Sequence, residues 1–245
     1  MEPWKMAVIA ALAIGTVGFG IVSNGGTTPV TPPPITGGTP APTPTPGTPT
    51  IFKKYMGTTL PTYPSIKQWV NTPSPVNLSS LKGKPVLLEV FRIECSHCQE
   101  AAPFLVALHK RYAPRGVAFV GIQSPGDLTD ASNPESNWTN VQAWIKAQGY
   151  TWPVGFDANS AWFQGKFGKG VSYPSMFLLD KNGNTVFIQS GHDSDEALQL
   201  AAELEHISPT QGDTMAQAKS LAQFLAPGNA AAVSKDLATR LGAIK

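Results

Sequence analysis

The sequence predicts an α/β domain organised around a parallel strand–helix–strand unit, followed by a hairpin. Two apolar runs of strand length, Val86–Phe91 and Val117–Ile122, flank a segment of helical periodicity. A later pair of apolar runs, Met176–Asp180 and Thr185–Ile188, encloses Lys181-Asn182-Gly183-Asn184, and Asn-Gly between strands is a hairpin signal. The third observation is Cys95-Ser96-His97-Cys98, which holds the only two cysteines of the 245 residues and falls where the first strand meets its helix.

Val86-Leu87-Leu88-Glu89-Val90-Phe91 reads as a strand buried on both faces, since it is almost unbroken in apolar residues. The helix that follows, Gln99 to Tyr112, carries Ala102, Leu105, Val106, Leu108 and Tyr112 near helical spacing, with Pro103 kinking it or lying near its first turn. Gly116 precedes the second strand. A polar stretch, Ser124 to Asn137, leads to a helix at Trp138–Gln148, a short strand within Tyr150–Asp157 and a helix around Ser160–Phe167. After the hairpin, helices are expected at 194–206, 213–225 and 229–242. The first completes the main domain, and the other two form an appended helical pair, packed on the domain or on a partner.

The amino-terminal part has a different character. Met6 to Val22 is an uncharged apolar run of 17 residues preceded by Lys5, and no further charge appears until Lys53. That length is short for a spanning helix, which wants about 20 residues, and long for a cleavable signal core. Three readings stay open: an uncleaved anchor, a cleaved signal peptide and a buried helix. The first two export the rest of the chain. Residues 25–50 contain nine prolines, nine threonines and five glycines, a composition that cannot bury apolar area and makes an extended tether. The expected organisation is an anchor or signal at 1–23, a linker at 24–52, a folded domain at 53–207 and a helical extension at 208–245. A net charge of +2, with 14% charged residues, gives no electrostatic case for nucleic acid.

Two thiols separated by two residues, the second one helical turn after the first, make a reversible two-electron couple. The competing reading is half of a zinc site, which needs two further ligands. His97, His109, His192 and His206 are the only histidines, and none stands at finger spacing. Haem attachment needs His after the second cysteine, where Gln99 stands. No cofactor and no metal is expected.

Strand, dithiol at a helix start, crossover, then proline before a hairpin strand resembles the thioredoxin fold, most closely the extracytoplasmic thiol–disulfide oxidoreductases of the TlpA/ResA type. The resemblance covers about residues 66–206. It is carried by Leu78–Leu88 entering the central strand, by Cys98 with Pro103 five residues on, by Val141–Asp157 as an insertion, and by Tyr173-Pro174-Ser175-Met176. It implies a central mixed sheet flanked by helices. The active-site loop departs from that group: Glu94 replaces the usual Trp, and Ser-His between the cysteines is similar to DsbA-type oxidases.

On this resemblance Cys95 is the attacking thiolate at a helix amino terminus, where the dipole favours negative charge, and Cys98 resolves the mixed disulfide. Glu89, six residues before Cys95, is the buried acid that exchanges a proton with Cys98, unless the strand turns it to solvent. His97 stabilises the thiolate when protonated, Glu94 opposes it, and the direction of the reaction stays open. Pro174 is expected cis, with Tyr173 offering backbone hydrogen bonds to a substrate. Trp138, Trp144, Trp152 and Trp162 read as core and groove-wall aromatics. The implied partners are thiol- or disulfide-bearing exported proteins, a membrane redox partner and the membrane itself, and the implied location is extracytoplasmic. Two alternatives share the fold: a thiol peroxidase, although Arg92 stands where peroxiredoxins place Thr, and a copper metallochaperone using both cysteines.

Overall fold

The computed structural model describes residues 50–244 except Pro64. The apolar run Met6–Val22 and most of the linker therefore lie outside the described residues. Among the described residues, no helix is long and apolar enough to cross a membrane.

Six strands, β1 (Gln68–Val70), β2 (Val86–Phe91), β3 (Ala118–Gln123), β4 (Val154–Phe156), β5 (Ser175–Leu179) and β6 (Thr185–Ser190), form one sheet in the order β1-β4-β3-β2-β5-β6. β2, β3 and β4 run parallel, whereas β5, β6 and β1 are antiparallel to their neighbours. The sheet is mixed, as the thioredoxin-like fold requires. The helices are α1 (Ser96–Tyr112), α2 (Trp138–Gln148), α3 (Phe163–Phe167), α4 (Ser194–Ile207), α5 (Thr214–Leu225) and α6 (Ala230–Ala243).

Alternation along β2 divides the core in two. Leu87 and Phe91 face one cluster with Cys98, Leu105 and Leu108 of α1, Val141 and Ile145 of α2, and Leu200 and Leu204 of α4. Val86, Leu88 and Val90 face the other, with Phe52, Trp162, Phe163 and Phe167. Phe52 belongs to a 3-10 turn, Thr50–Tyr55, and stacks its edge on Phe177 with ring centroids 5.3 Å apart.

Helix α1 starts at Ser96, three residues before the periodic segment, because Cys95 itself caps it. Pro103 lies inside the helix without ending it. β1 escaped the sequence reading: three residues with half-exposed side chains carry no usable period. It pairs along β4, where Trp69 lies opposite Gly155. A β-carbon at Gly155 would come within 2.8 Å of Ile66 and 2.9 Å of Trp69, so only glycine admits this edge.

Helices α5 and α6 pack on the domain: Ala218, Leu221, Leu237 and Leu241 join the cluster of α1 and α4. Glu205 at the end of α4 is wholly buried and anchors the junction. Its carboxylate accepts hydrogen bonds from Tyr112 (2.6 Å), Arg111 (3.3 Å) and the Thr210 N–H (2.6 Å).

Candidate functional site

The parallel strands β2 and β3 end where α1 begins, so the loop from Arg92 to Cys95 emerges at the carboxyl edge of the sheet. Cys95 is the amino-terminal cap of α1, and its Sγ accepts the Cys98 N–H at 3.3 Å. Both cysteines are free thiols, with Cys95 half-exposed and Cys98 fully buried.

That difference in burial separates their acidities. Cys95 is lowered to about 6, first by the hydrogen bond from the Cys98 thiol, then by the Cys98 N–H and the charges of Arg92 and His97, against a cost of partial burial. Cys98 is pushed far up, mainly by burial and by its bond to Cys95. One sulfur is therefore ionised near neutrality and open to solvent, while the other holds its proton beneath it.

Glu89 lies on the same face of β2 as Leu87 and Phe91, which points it into the α1 cluster. It is 2% exposed, which rules out the solvent-facing arrangement. One carboxylate oxygen accepts the Tyr150 hydroxyl at 3.2 Å, and the other has no partner. Its carboxyl is raised to about 8, chiefly by desolvation, with the Tyr150 bond opposing and the Cys95 charge adding. The Glu89 charge in turn adds to the upward push on Cys98.

Opposite the dithiol, the Tyr173–Pro174 peptide is cis and Pro174 is buried. The Tyr173 carbonyl accepts the Cys95 thiol at 3.6 Å. The Tyr173 ring lies 5.6 Å from the Arg92 guanidinium and packs edge-on against Phe163 at 5.3 Å. His97 is exposed in the first turn of α1. Cys95, His97 and Tyr173 line a groove of about 540 Å³ with Arg92, His192 and Glu196. The structure thus brings Cys95, Cys98, Glu89, His97, Tyr173 and Pro174 to one corner.

Sequence reading missed Arg92, Tyr150 and His192 as members of this corner. Arg92 was legible by adjacency alone, three residues before Cys95. Tyr150 reaches Glu89 across 61 residues of sequence, and no local pattern announces that pairing. Of the tryptophans, Trp152 and Trp162 are buried, Trp144 stacks on Phe91 at 5.1 Å and Trp138 on Phe156 at 5.3 Å. They are packing residues. Among the described residues, no three His, Cys, Asp or Glu side chains gather as a metal site.

A thioredoxin-like sheet with a capping cysteine at the start of α1 defines the structural class. The Redoxin family profile matches residues 57–204, and the chain belongs to that family. Protein DipZ of Mycobacterium tuberculosis is 30% identical over 135 residues, covering 54% of this chain but 18% of DipZ. Thiol-disulfide oxidoreductase ResA of Bacillus anthracis is 29% identical over 134 residues, covering 55% of this chain and 69% of ResA. The chain thus spans less than a fifth of DipZ. The TlpA/ResA-type resemblance fits these relatives. A solution structure from Bacteroides thetaiotaomicron, put forward as a protein disulfide isomerase, shares the fold with a TM-score of 0.52 and 21% identity, over 63% of this chain and 90% of the other.

Proposed function

We propose that the chain is a thiol–disulfide oxidoreductase that exchanges disulfides with exported proteins through Cys95 and Cys98. The observation that carries this reading is the division of labour between the two sulfurs: a half-exposed one held below the ordinary thiol range and a fully buried one pushed up beside it. That division suits one sulfur to attack and the other to resolve.

In the reductive direction, the Cys95 thiolate attacks one sulfur of a client disulfide. The Cys95–client bond forms as the client S–S bond breaks, and the second client sulfur leaves as a thiolate. Cys98 then gives up its proton and attacks the Cys95 sulfur. The Cys95–Cys98 disulfide forms, the second client thiol is released, and the client has gained two electrons. Glu89 exchanges a proton with Cys98: a carboxyl titrating near 8 is mostly protonated at neutral pH, and it is its ionised fraction that takes the Cys98 proton. Arg92 holds a positive charge near the Cys95 thiolate, His97 adds to it when protonated, and Tyr173 with Pro174 forms the wall against which a client strand lies. A thiol donor, a membrane redox partner on this reading, restores the dithiol.

The raised acidity of Cys95 suits it as the attacking thiolate, and the potential of the couple decides the direction. The apolar segment Met6–Val22 and the ResA relatives support an extracytoplasmic, membrane-associated setting. Two measurements test the proposal. A Cys98→Ala chain should trap clients as stable mixed disulfides on Cys95, and an empty trap beside an active wild type refutes protein clients. Titration against glutathione should give a potential near about −270 mV for a reductant, whereas a value near about −120 mV assigns oxidation instead.

A further inference from the structure

The polar stretch between β3 and α2 contains a wholly buried carboxylate that the dithiol chemistry above does not use. Glu135 sits in a 3-10 turn, Pro134–Ser136, opened by Asn133, whose side chain accepts the Glu135 N–H at 3.0 Å. Its carboxylate does not face solvent or α2. It reaches under the β2–α1 loop, where Oε2 accepts the Ile93 N–H at 3.0 Å and Oε1 the Glu94 N–H at 2.8 Å. Oε1 also accepts the Arg92 Nε–H at 3.3 Å. From β3, Gln123 Nε2 donates to Oε2 at 2.8 Å and to the Glu135 carbonyl at 3.1 Å.

Four donors thus converge on one carboxylate, and three of them come from the three consecutive residues that precede Cys95. No neutral side chain meets this demand. An amide in the same place offers one acceptor and turns an N–H₂ group toward two donors. The loop's backbone N–H groups have their partner in Glu135 instead of in a strand, and the Arg92 head group, 26% exposed, is fastened at its Nε. This leaves the rest of the guanidinium over the Tyr173 ring, on the groove that holds Cys95.

We propose that Glu135 is a positioning residue for the dithiol: it fixes residues 92–94 from beneath, and with them the place of Cys95 and the direction in which Arg92 presents its charge. The proposal rests on the reading of Cys95 as the attacking sulfur. Two physical roles for Glu135 predict opposite signs. As a nearby negative charge alone, its removal eases ionisation of Cys95. As the clamp on Arg92 and on the helix start, its removal takes away groups that favour the thiolate, and ionisation becomes harder. The clamp is the larger effect, because four donors screen the Glu135 charge, whereas Arg92 lies on the Cys95 groove and its charge favours the thiolate from the place the Glu135 bond fixes.

The test is the pH dependence of iodoacetamide alkylation of Cys95 in the reduced full chain, comparing wild type with Glu135→Gln. Cys98 is buried and stays silent. The midpoint should rise by about one unit, leaving roughly tenfold less thiolate at any pH well below it. A folded Glu135→Gln chain with an unchanged or lowered midpoint overturns the proposal, since a purely structural staple alters the melting temperature and not the titration. Where Glu135→Gln does not fold, Gln123→Met decides. It loosens Glu135 from β3 without touching the loop, so a smaller rise in midpoint supports positioning and none overturns it. A wild type that exchanges no disulfide with glutathione sinks the proposed function and leaves this titration readable, so the two failures are separate.

Discussion

Replacing Glu89 by glutamine should flatten the pH dependence of stability. Glu89 is raised from 4.5 to about 8 by burial between Leu87 and Phe91, whereas in the unfolded chain it ionises at its ordinary value. Between those two values the unfolded state has lost a proton that the folded state keeps. Stability therefore falls with rising pH across that window, by roughly 1.4 kcal/mol per unit, and levels off above the folded value. From pH 5 to pH 8 this amounts to on the order of 4 kcal/mol, a large part of the net stability of a domain. Cys95 works in the opposite sense because it is lowered on folding, so the comparison is made in a Cys95→Ala, Cys98→Ala background. Desolvation, the leading cause of the Glu89 shift, survives there. Urea unfolding at pH 5, 6, 7 and 8 should show the parent losing more stability with rising pH than Glu89→Gln, which keeps a partner for Tyr150; groups common to both, such as Glu203 raised to about 7, cancel in the difference. Parallel curves from pH 5 to 8 would refute the claim that the fold holds this carboxyl protonated. With both cysteines restored, Glu89→Gln should also slow disulfide exchange by about 100-fold or more, as expected for loss of a general base.

Other outcomes follow from the same corner and its supports. Tyr150→Phe removes the one hydrogen bond to Glu89, so the carboxyl should titrate above about 8, read by difference infrared spectroscopy of the carboxyl band. Cys98→Ala takes away the leading cause of Cys95 acidity, and the alkylation midpoint of Cys95 should move up from about 6. Glu205→Leu leaves Arg111, 8% exposed, without its buried partner, and should cost about 3–5 kcal/mol in urea unfolding. An Arg111→Met, Glu205→Leu pair should recover only part of that loss, since it removes the stranded Arg111 charge but leaves Tyr112, the Thr210 N–H and Arg115 without their acceptor.

The chain itself determined what depends on near neighbours. The strand–helix–strand unit, the Asn-Gly hairpin and the three late helices were legible because their signals are periods of two or 3.6 residues and turn chemistry at fixed spacing. The dithiol was legible because its two cysteines are the only ones in the sequence and are separated by two residues, and Glu89 through the resemblance, which implies an acid six residues before Cys95. Only the tertiary structure decided how those groups behave. Tyr150 meets Glu89 across 61 residues, and Glu135 meets Ile93 across 42, because β3 lies beside β2 and β4 beside β3, which brings the segments that flank them against β2 and its following loop. The polar segment around Glu135 looked like an ordinary loop, as nothing in its composition says that its carboxylate is buried. Burial and the donors it gathers set acidity. They are properties of the packed molecule, whereas the period of a segment is a property of its own residues.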